Sequence, residues 1–304
     1  MTLMTDLYPS RGETPVALQA RLDPVFYGDP ATPSGPLSRG EISQYETNGF
    51  LFFESFLSPD EVALYAEELE RLRHDPSIRK REDVFLEPRD GGVRSIFNVH
   101  RNAPLFQQLA QDGRILDRVR QILHGPVYIH QSRINYKPGF TGKEFYWHSD
   151  FETWHAEDGM PRMRALSCSI ALTENNECNG SLMIIPGSHR LFVPCRGQTP
   201  ENHYKVSLKK QEYGVPDPDS LNRLVERGGI FSAKGPPGSM VLFECNAMHG
   251  SNGNISPWAR SNIFFVYNSV ENSLAAPFCG LDPRPEFIAS RDFTPLAFHA
   301  TSSR

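Results

Sequence analysis

The apolar positions change their rhythm along the chain. Residues 1–36 are rich in Pro, Gly and Thr and show no clear period, which predicts an extended arm over the domain surface. Two helix starts follow. Ser38 with Glu41, and Ser58 with Glu61, each form the pattern in which a hydroxyl and a carboxylate reciprocally satisfy the first free backbone N–H groups of a helix. The second signal is the stronger. Pro59 takes the first helical position, where its missing N–H costs nothing, and Leu57 and Val62 can close a hydrophobic staple. Val62, Tyr65, Leu69 and Leu72 then recur at helical spacing, so one face of this helix is expected on the core. Asn48-Gly49 reads as a turn, Phe50–Phe53 as a buried strand, and 107–123 as a further amphipathic helix.

From about Val127 the texture becomes that of strands. Apolar or alternating runs at 127–136, 164–173, 181–185, 239–244 and 260–270 are separated by Gly, Pro and Asn. A short helix over 219–227, closed by Gly228-Gly229, interrupts them. Helices first and strands afterwards predict a mainly β fold, an antiparallel sandwich or barrel with helices packed outside it. No internal repeat or domain boundary is visible, so 37–304 is expected to form a single domain behind the 1–36 arm.

Composition narrows the function classes. Hydrophobic residues are 39% and charged residues 22%, enough apolar surface for a real core. The net charge, 31 − 36 = −5, gives no electrostatic reason to expect nucleic acid or an anionic membrane as partner. No apolar run reaches the ~18 residues of a membrane span, and the first fifteen residues lack a secretory pattern. The five cysteines are odd in number and contain no CxxC pair, which argues against a disulfide framework or a structural zinc site. Together these predict a cytoplasmic protein.

The candidate chemistry lies in Phe145-Tyr-Trp-His148-Ser-Asp150-Phe151. In a strand, residues two apart face the same way, so His148 and Asp150 can present an imidazole and a carboxylate to one point. Later, after the run 239–244, comes His249. Two histidines and one carboxylate form the face used by non-haem Fe(II) oxygenases, with positions left open for a 2-oxo acid and O₂. A bare HxD is a weak signal on its own. His155-Ala156-Glu157 competes with it, and His130, His189 and His203 are further candidates. Arg260, eleven residues after His249, is placed to return toward the metal; a guanidinium pairs bidentately with a carboxylate. The combination is far more specific than any one part.

The run from Phe145 through Trp154, His155-Ala-Glu-Asp-Gly-Met-Pro-Arg-Met-Arg-Ala-Leu to Ser167 closely resembles the signature of ectoine hydroxylases, within the phytanoyl-CoA-dioxygenase-like branch of 2-oxoglutarate oxygenases. Pro186-Gly-Ser-His189, Gly49-Phe-Leu and Phe56-Leu-Ser58 resemble features of that wider branch. The resemblance covers roughly 38–296. It implies a double-stranded β-helix (jelly-roll, cupin-like) core, Fe(II), 2-oxoglutarate and O₂. It further implies ectoine as substrate, with 5-hydroxyectoine, succinate and CO₂ as products, and a homodimer. Residue by residue, it implies His148, Asp150 and His249 as iron ligands, and Lys137 and Arg260 as co-substrate contacts; Ser251 is a further candidate for the co-substrate's distal carboxylate. Gln131 and Trp154 are implied as substrate contacts and Tyr267 as an aromatic wall; Thr153, next to Trp154, is a further candidate contact. Three alternatives stay open: a hydroxylase of the same branch acting on another amino-acid-like or lipid-derived substrate, a zinc-dependent cupin-type hydrolase or isomerase, and a non-catalytic binding protein.

Overall fold

Alternating apolar positions pay off in this chain as antiparallel sheet. The strands are β1 (Gln19–Ala20), β2 (Phe50–Phe53), β3 (Val84–Leu86), β4 (Val93–Phe97), β5 (Val127–Lys137), β6 (Phe145–His148), β7 (Ala165–Ala171), β8 (Leu182–Ile184), β9 (Leu191–Phe192), β10 (Phe231–Ser232), β11 (Met240–Glu244), β12 (His249–Ser251) and β13 (Arg260–Ser269). The α-helices are α1 (Arg39–Asn48), α2 (Pro59–His74), α3 (Val99–Asn102), α4 (Pro104–Ala110), α5 (Gly113–Leu123), α6 (Asp150–Thr153), α7 (Tyr204–Ser207) and α8 (Pro218–Gly228). The structure is a computed structural model and describes residues 5–12, 17–87, 91–207 and 213–297. Parts of the expected arm, 1–4 and 13–16, and the end of the expected domain, 298–304, lie outside the described residues.

A large sheet runs in the order β2-β11-β7-β13-β5-β4-β3 and a smaller one in the order β10-β8-β12-β6, with every pairing antiparallel. The two-residue period divides the large sheet's faces. Met240, Leu242, Ile263 and Phe265 pack into one core with the helix residues Ile42, Leu69 and Val119. Val241, Phe243 and Phe264 point the other way and meet Leu182 and Ile184 of the smaller sheet. The large sheet is therefore covered by helices on one face and by the small sheet on the other.

Both capping boxes form, at Ser38–Glu41 and Ser58–Glu61. Gly49 ends α1 at φ 81°, a conformation that disfavours any residue with a Cβ. The helix expected over 107–123 is instead two. The helix stops at Ala110, and Asp112, whose side chain accepts from the Arg114 N–H, caps a new one. The arm also departs from expectation. It does not only lie over the surface: Tyr8 is fully buried, its hydroxyl donating to Asp23 at 2.8 Å, and β1 pairs with β9. Arg11 reaches inward to grip Glu152 through Nε at 2.6 Å and Nη2 at 2.8 Å.

Among the described residues, no helix is long and apolar enough to cross a membrane.

Candidate metal centre and its pocket

His148 ends β6 and His249 opens β12, and the antiparallel pairing sets the two residues directly opposite each other. Their rings lie 4.2 Å apart, centroid to centroid. Asp150 arrives by a different route from the one its spacing suggested. It is not on the strand; the strand stops at His148, and Asp150 is the first residue of α6. The chain turn at Ser149 swings the carboxylate back, so that Oδ1 lies 3.8 Å from His148 Nε2 and Oδ2 lies 3.8 Å from His249 Nε2. The ligand atoms of all three residues fall within 4.8 Å of one another, and among the described residues no other such group of three exists.

The donor set fits a divalent metal. His148 Nδ1–H donates to the Tyr146 carbonyl at 2.7 Å and His249 Nδ1–H to the Ala247 carbonyl at 3.0 Å. Each bond fixes the tautomer and leaves Nε2 with its lone pair aimed at the shared point. Burial, followed by the field of His249, pushes the His148 imidazole down to about 4, so it is neutral and ready to ligate. Burial opposes ionisation of Asp150, but the fields of His249, His148 and Arg133 outweigh it and hold the carboxyl below its usual range. Ser167 Oγ also donates to Asp150 Oδ2 at 3.4 Å. Three protein ligands on one face leave open positions, as a non-haem iron site requires.

The three ligands line one pocket together with Lys137, Arg260 and Ser251. Lys137 and Arg260 are paired across β5 and β13. Lys137 Nζ donates to Ser251 Oγ at 2.9 Å and to the Asn252 carbonyl at 2.5 Å. Arg260 Nε donates to Asn262 Oδ1 at 2.9 Å and Nη1 to the Gly180 carbonyl. All of these partners are neutral. Among the described residues, neither cation has a carboxylate within ion-pair distance, although both are buried. Burial drives the Arg260 guanidinium down to about 10, and burial with repulsion from Arg260 and Arg94 drives the Lys137 ammonium down to about 6. A buried guanidinium and a buried amine beside a metal face, satisfied only by dipoles, make a receptor for a small dicarboxylate. Gly180 keeps it open. At φ +73° a Cβ there would lie 2.2 Å from the Asn252 carbonyl oxygen and 2.9 Å from Lys137 Nζ.

Gln131, Thr153 and Trp154 line the same pocket. A bulge in β5 opposite Val266–Tyr267 makes this possible. His130 is the extra residue, so His130 and Gln131 both turn from the helix-covered face. His130 backs the Trp154 ring, with centroids 5.1 Å apart, and Gln131 donates to the Ile288 carbonyl at 2.8 Å. Tyr267 is a correction. It lies on the opposite face of β13, fully buried in the helix-side core, and its hydroxyl donates to the Ala110 carbonyl at 2.9 Å. The aromatic on the pocket face is Phe264, which lines the pocket and has Arg133 stacked over it at 5.0 Å. Counting in twos from Arg260 would have found it, and the same count puts Tyr267 with Ile263 and Phe265 on the helix side.

The competing histidines are engaged elsewhere. His155 binds Asp6 through Nε2 at 2.9 Å and the Met160 carbonyl through Nδ1 at 2.8 Å, so the HxE reading fails. His189 bonds the Glu46 carbonyl. Arg133 and Arg284 are among the pocket residues that escaped the sequence reading, and His203, one of the further histidine candidates, also lines the pocket. Arg133 is two residues beyond Gln131 and its strand parity was a usable signal. Arg284 grips Asp158 with two bonds of 2.7 Å, and His203 meets Glu157 at 2.9 Å, but both come from irregular segments with no period to read.

The chain has relatives among known proteins. Residues 45–262 match the family model described as phytanoyl-CoA dioxygenase (PhyH). The chain is similar to the ectoine dioxygenase of Bordetella parapertussis, at 57% identity over 94% of this chain and 92% of that protein. It is similar to the ectoine dioxygenase of Stutzerimonas stutzeri at 54% identity, over 97% of each. Among solved structures, it resembles EctD from S. alaskensis, known with bound Fe and with 2-oxoglutarate and 5-hydroxyectoine. That match has a TM-score of 0.87 and 46% identity, over 97% of this chain and 98% of the other.

Proposed function

The chain belongs to the phytanoyl-CoA dioxygenase family, and from that premise we propose that it hydroxylates ectoine to 5-hydroxyectoine, consuming 2-oxoglutarate and O₂ and releasing succinate and CO₂. The observation that carries the reading is the convergence of His148, Asp150 and His249 beside a buried guanidinium and a buried amine that have no carboxylate partner among the described residues.

His148, Asp150 and His249 hold Fe(II), and the bound iron with O₂ and the 2-oxo acid supplies the oxidant for an unactivated C–H. The protein's own task is placement and exclusion of water. Arg260 and Lys137 take the distal carboxylate of 2-oxoglutarate, with Ser251 holding the Lys137 amine in place. Ectoine carries a carboxylate and a delocalised amidinium. Trp154 offers its ring to the cation, a contact worth ~0.5–2 kcal/mol depending on desolvation. Gln131, its oxygen already taken by Arg133 at 2.6 Å and its amide by Ile288, is a fixed polar point on the wall. Thr153 completes that side. A carboxylate ligand at 150 occupies the coordination position that halide would need, which favours hydroxylation over halogenation.

At the coarser scale, we read the two facing antiparallel sheets as a double-stranded β-helix. Residues 37–304 form one catalytic unit with the 1–36 arm laid against it. The protein works in the cytoplasm as a homodimer.

The test is anaerobically reconstituted Fe(II) protein given 2-oxoglutarate, O₂ and ectoine, with succinate and product mass followed together. Equimolar succinate and a gain of one oxygen on ectoine is the expected outcome. Succinate without modified ectoine would overturn the substrate, and no substrate-stimulated succinate would overturn the reaction.

A further inference from the structure

The pairing of β6 with β12 fixes the two histidines, but it says nothing about Asp150, which lies beyond the end of the strand. Something else must hold the carboxylate in register with His249. The residue between the histidine and the aspartate is Ser149, and its hydroxyl donates to Asn246 Oδ1 at 3.0 Å. Asn246 stands three residues before His249, in the turn that leads from β11 into β12. Its other polar atoms are also committed. Nδ2 donates to the His189 and Leu191 carbonyls, both at 3.0 Å, and the backbone N–H donates to Glu244 Oε2 at 2.6 Å. Glu244 is itself anchored, its Oε1 lying 2.8 Å from Nη1 of Arg21 in the arm. One residue further along, the Phe151 N–H donates to the Cys245 carbonyl at 2.8 Å. The turn 244–247 is thus bonded to both sides of Asp150.

We propose that Asn246 is a positioning residue for the metal centre: through Ser149 it sets where the Asp150 carboxylate stands relative to His249. Asn246 is 1% exposed and Ser149 3%, so water does not substitute for the bond. An amide suits the position because it offers one acceptor to the serine hydroxyl and two donors to two carbonyls at once. An alanine leaves both carbonyls unsatisfied and frees Ser149. This inference rests on the metal-site reading above.

The test uses the full chain, stripped of metal and titrated anaerobically with Co(II), whose visible ligand-field bands report coordination without turnover. Wild type that binds Co(II) with ligand-field bands, with the bands lost in His249→Ala, secures the metal-site reading independently of Asn246. Asn246→Ala is then expected to weaken Co(II) about 10–100-fold, the loss typical of an outer partner of a ligand, and to shift the bands. Ser149→Ala removes one hydrogen bond and no packing, so it is the variant that answers if Asn246→Ala does not fold. It should give a loss in the same direction and the same band shift. The double variant should bind no more weakly than Asn246→Ala alone, because both changes break one contact. A Ser149→Ala protein with wild-type affinity and bands overturns the proposal, as does a folded Asn246→Ala protein that is only less heat-stable.

Discussion

Lys137 sits where an ammonium ion is expensive. Burial and the neighbouring Arg260 and Arg94 bring it from an ordinary 10.5 to about 6, so in the anion-free protein the amine is largely neutral above that value. A dicarboxylate arriving at Lys137 and Arg260 favours the charged form and restores the proton. Binding of 2-oxoglutarate at about pH 8 should therefore take up a proton, and affinity should fall as pH rises above about 6, by at most tenfold per unit. Calorimetry in buffers of different ionisation enthalpy reads the uptake directly, and zero uptake would mean that Lys137 does not take the anion. Tyr267 makes the opposite kind of prediction. Its hydroxyl serves Ala110 and not the pocket, so Tyr267→Phe should cost about 1 kcal/mol in urea denaturation and leave the KM for ectoine unchanged. Phe264→Ala, on the pocket face, should raise that KM.

At the scale of elements, the exposed signals that are local in sequence give local energies. Ser58→Ala removes the cap of α2 and should lower stability by about 1 kcal/mol, seen as a lower urea midpoint, with metal binding untouched because the helix packs on the face away from the site. Signals of this kind are also the ones that sequence alone made legible. Both capping boxes, the strands β2, β5, β7, β8, β11 and β13, the helix near 219 and the three metal ligands could be read because each is written in neighbouring residues or in a short motif; β1, β3, β4, β9 and β10 went unread. What could not be read depends on where chain meets chain. The break at Asp112 follows from a cap that interrupts an otherwise acceptable helical pattern. The bulge at His130 exists only in relation to β13, yet it decides that Gln131 faces the pocket; Tyr267 is turned away by the plain alternation of β13, which was readable and not applied. The HxD spacing identified the right pair for an incomplete reason: strand geometry places His148, and a helix start places Asp150.

For the whole molecule, the arm is the long-range element. Arg11 is buried against Glu152 and also lies 3.1 Å from Glu157, a residue shared with His203. Arg11→Met would strand the buried Glu152 carboxylate, while Glu157 keeps His203 and Arg284; leaving one buried charge unpaired costs about 3–5 kcal/mol in comparable sites. The expected result is a lower melting temperature and faster cleavage of the arm under limited proteolysis. Because Glu152 adjoins Thr153 and Trp154, weaker ectoine binding should accompany it, while wild-type proteolysis and stability would show the clamp to be energetically idle.

The same clamp imposes an order on biosynthesis. Arg11 and its partner Glu152 are separated by 141 positions, so at ~5–20 residues per second elongation separates them by roughly 7–30 s. Throughout that interval the guanidinium lacks its folded-state partner, and the partner of Arg21, at Glu244, comes later still. The arm therefore emerges well before the residues that seat it, a latch that translation presents early and that cannot close until its partners have followed.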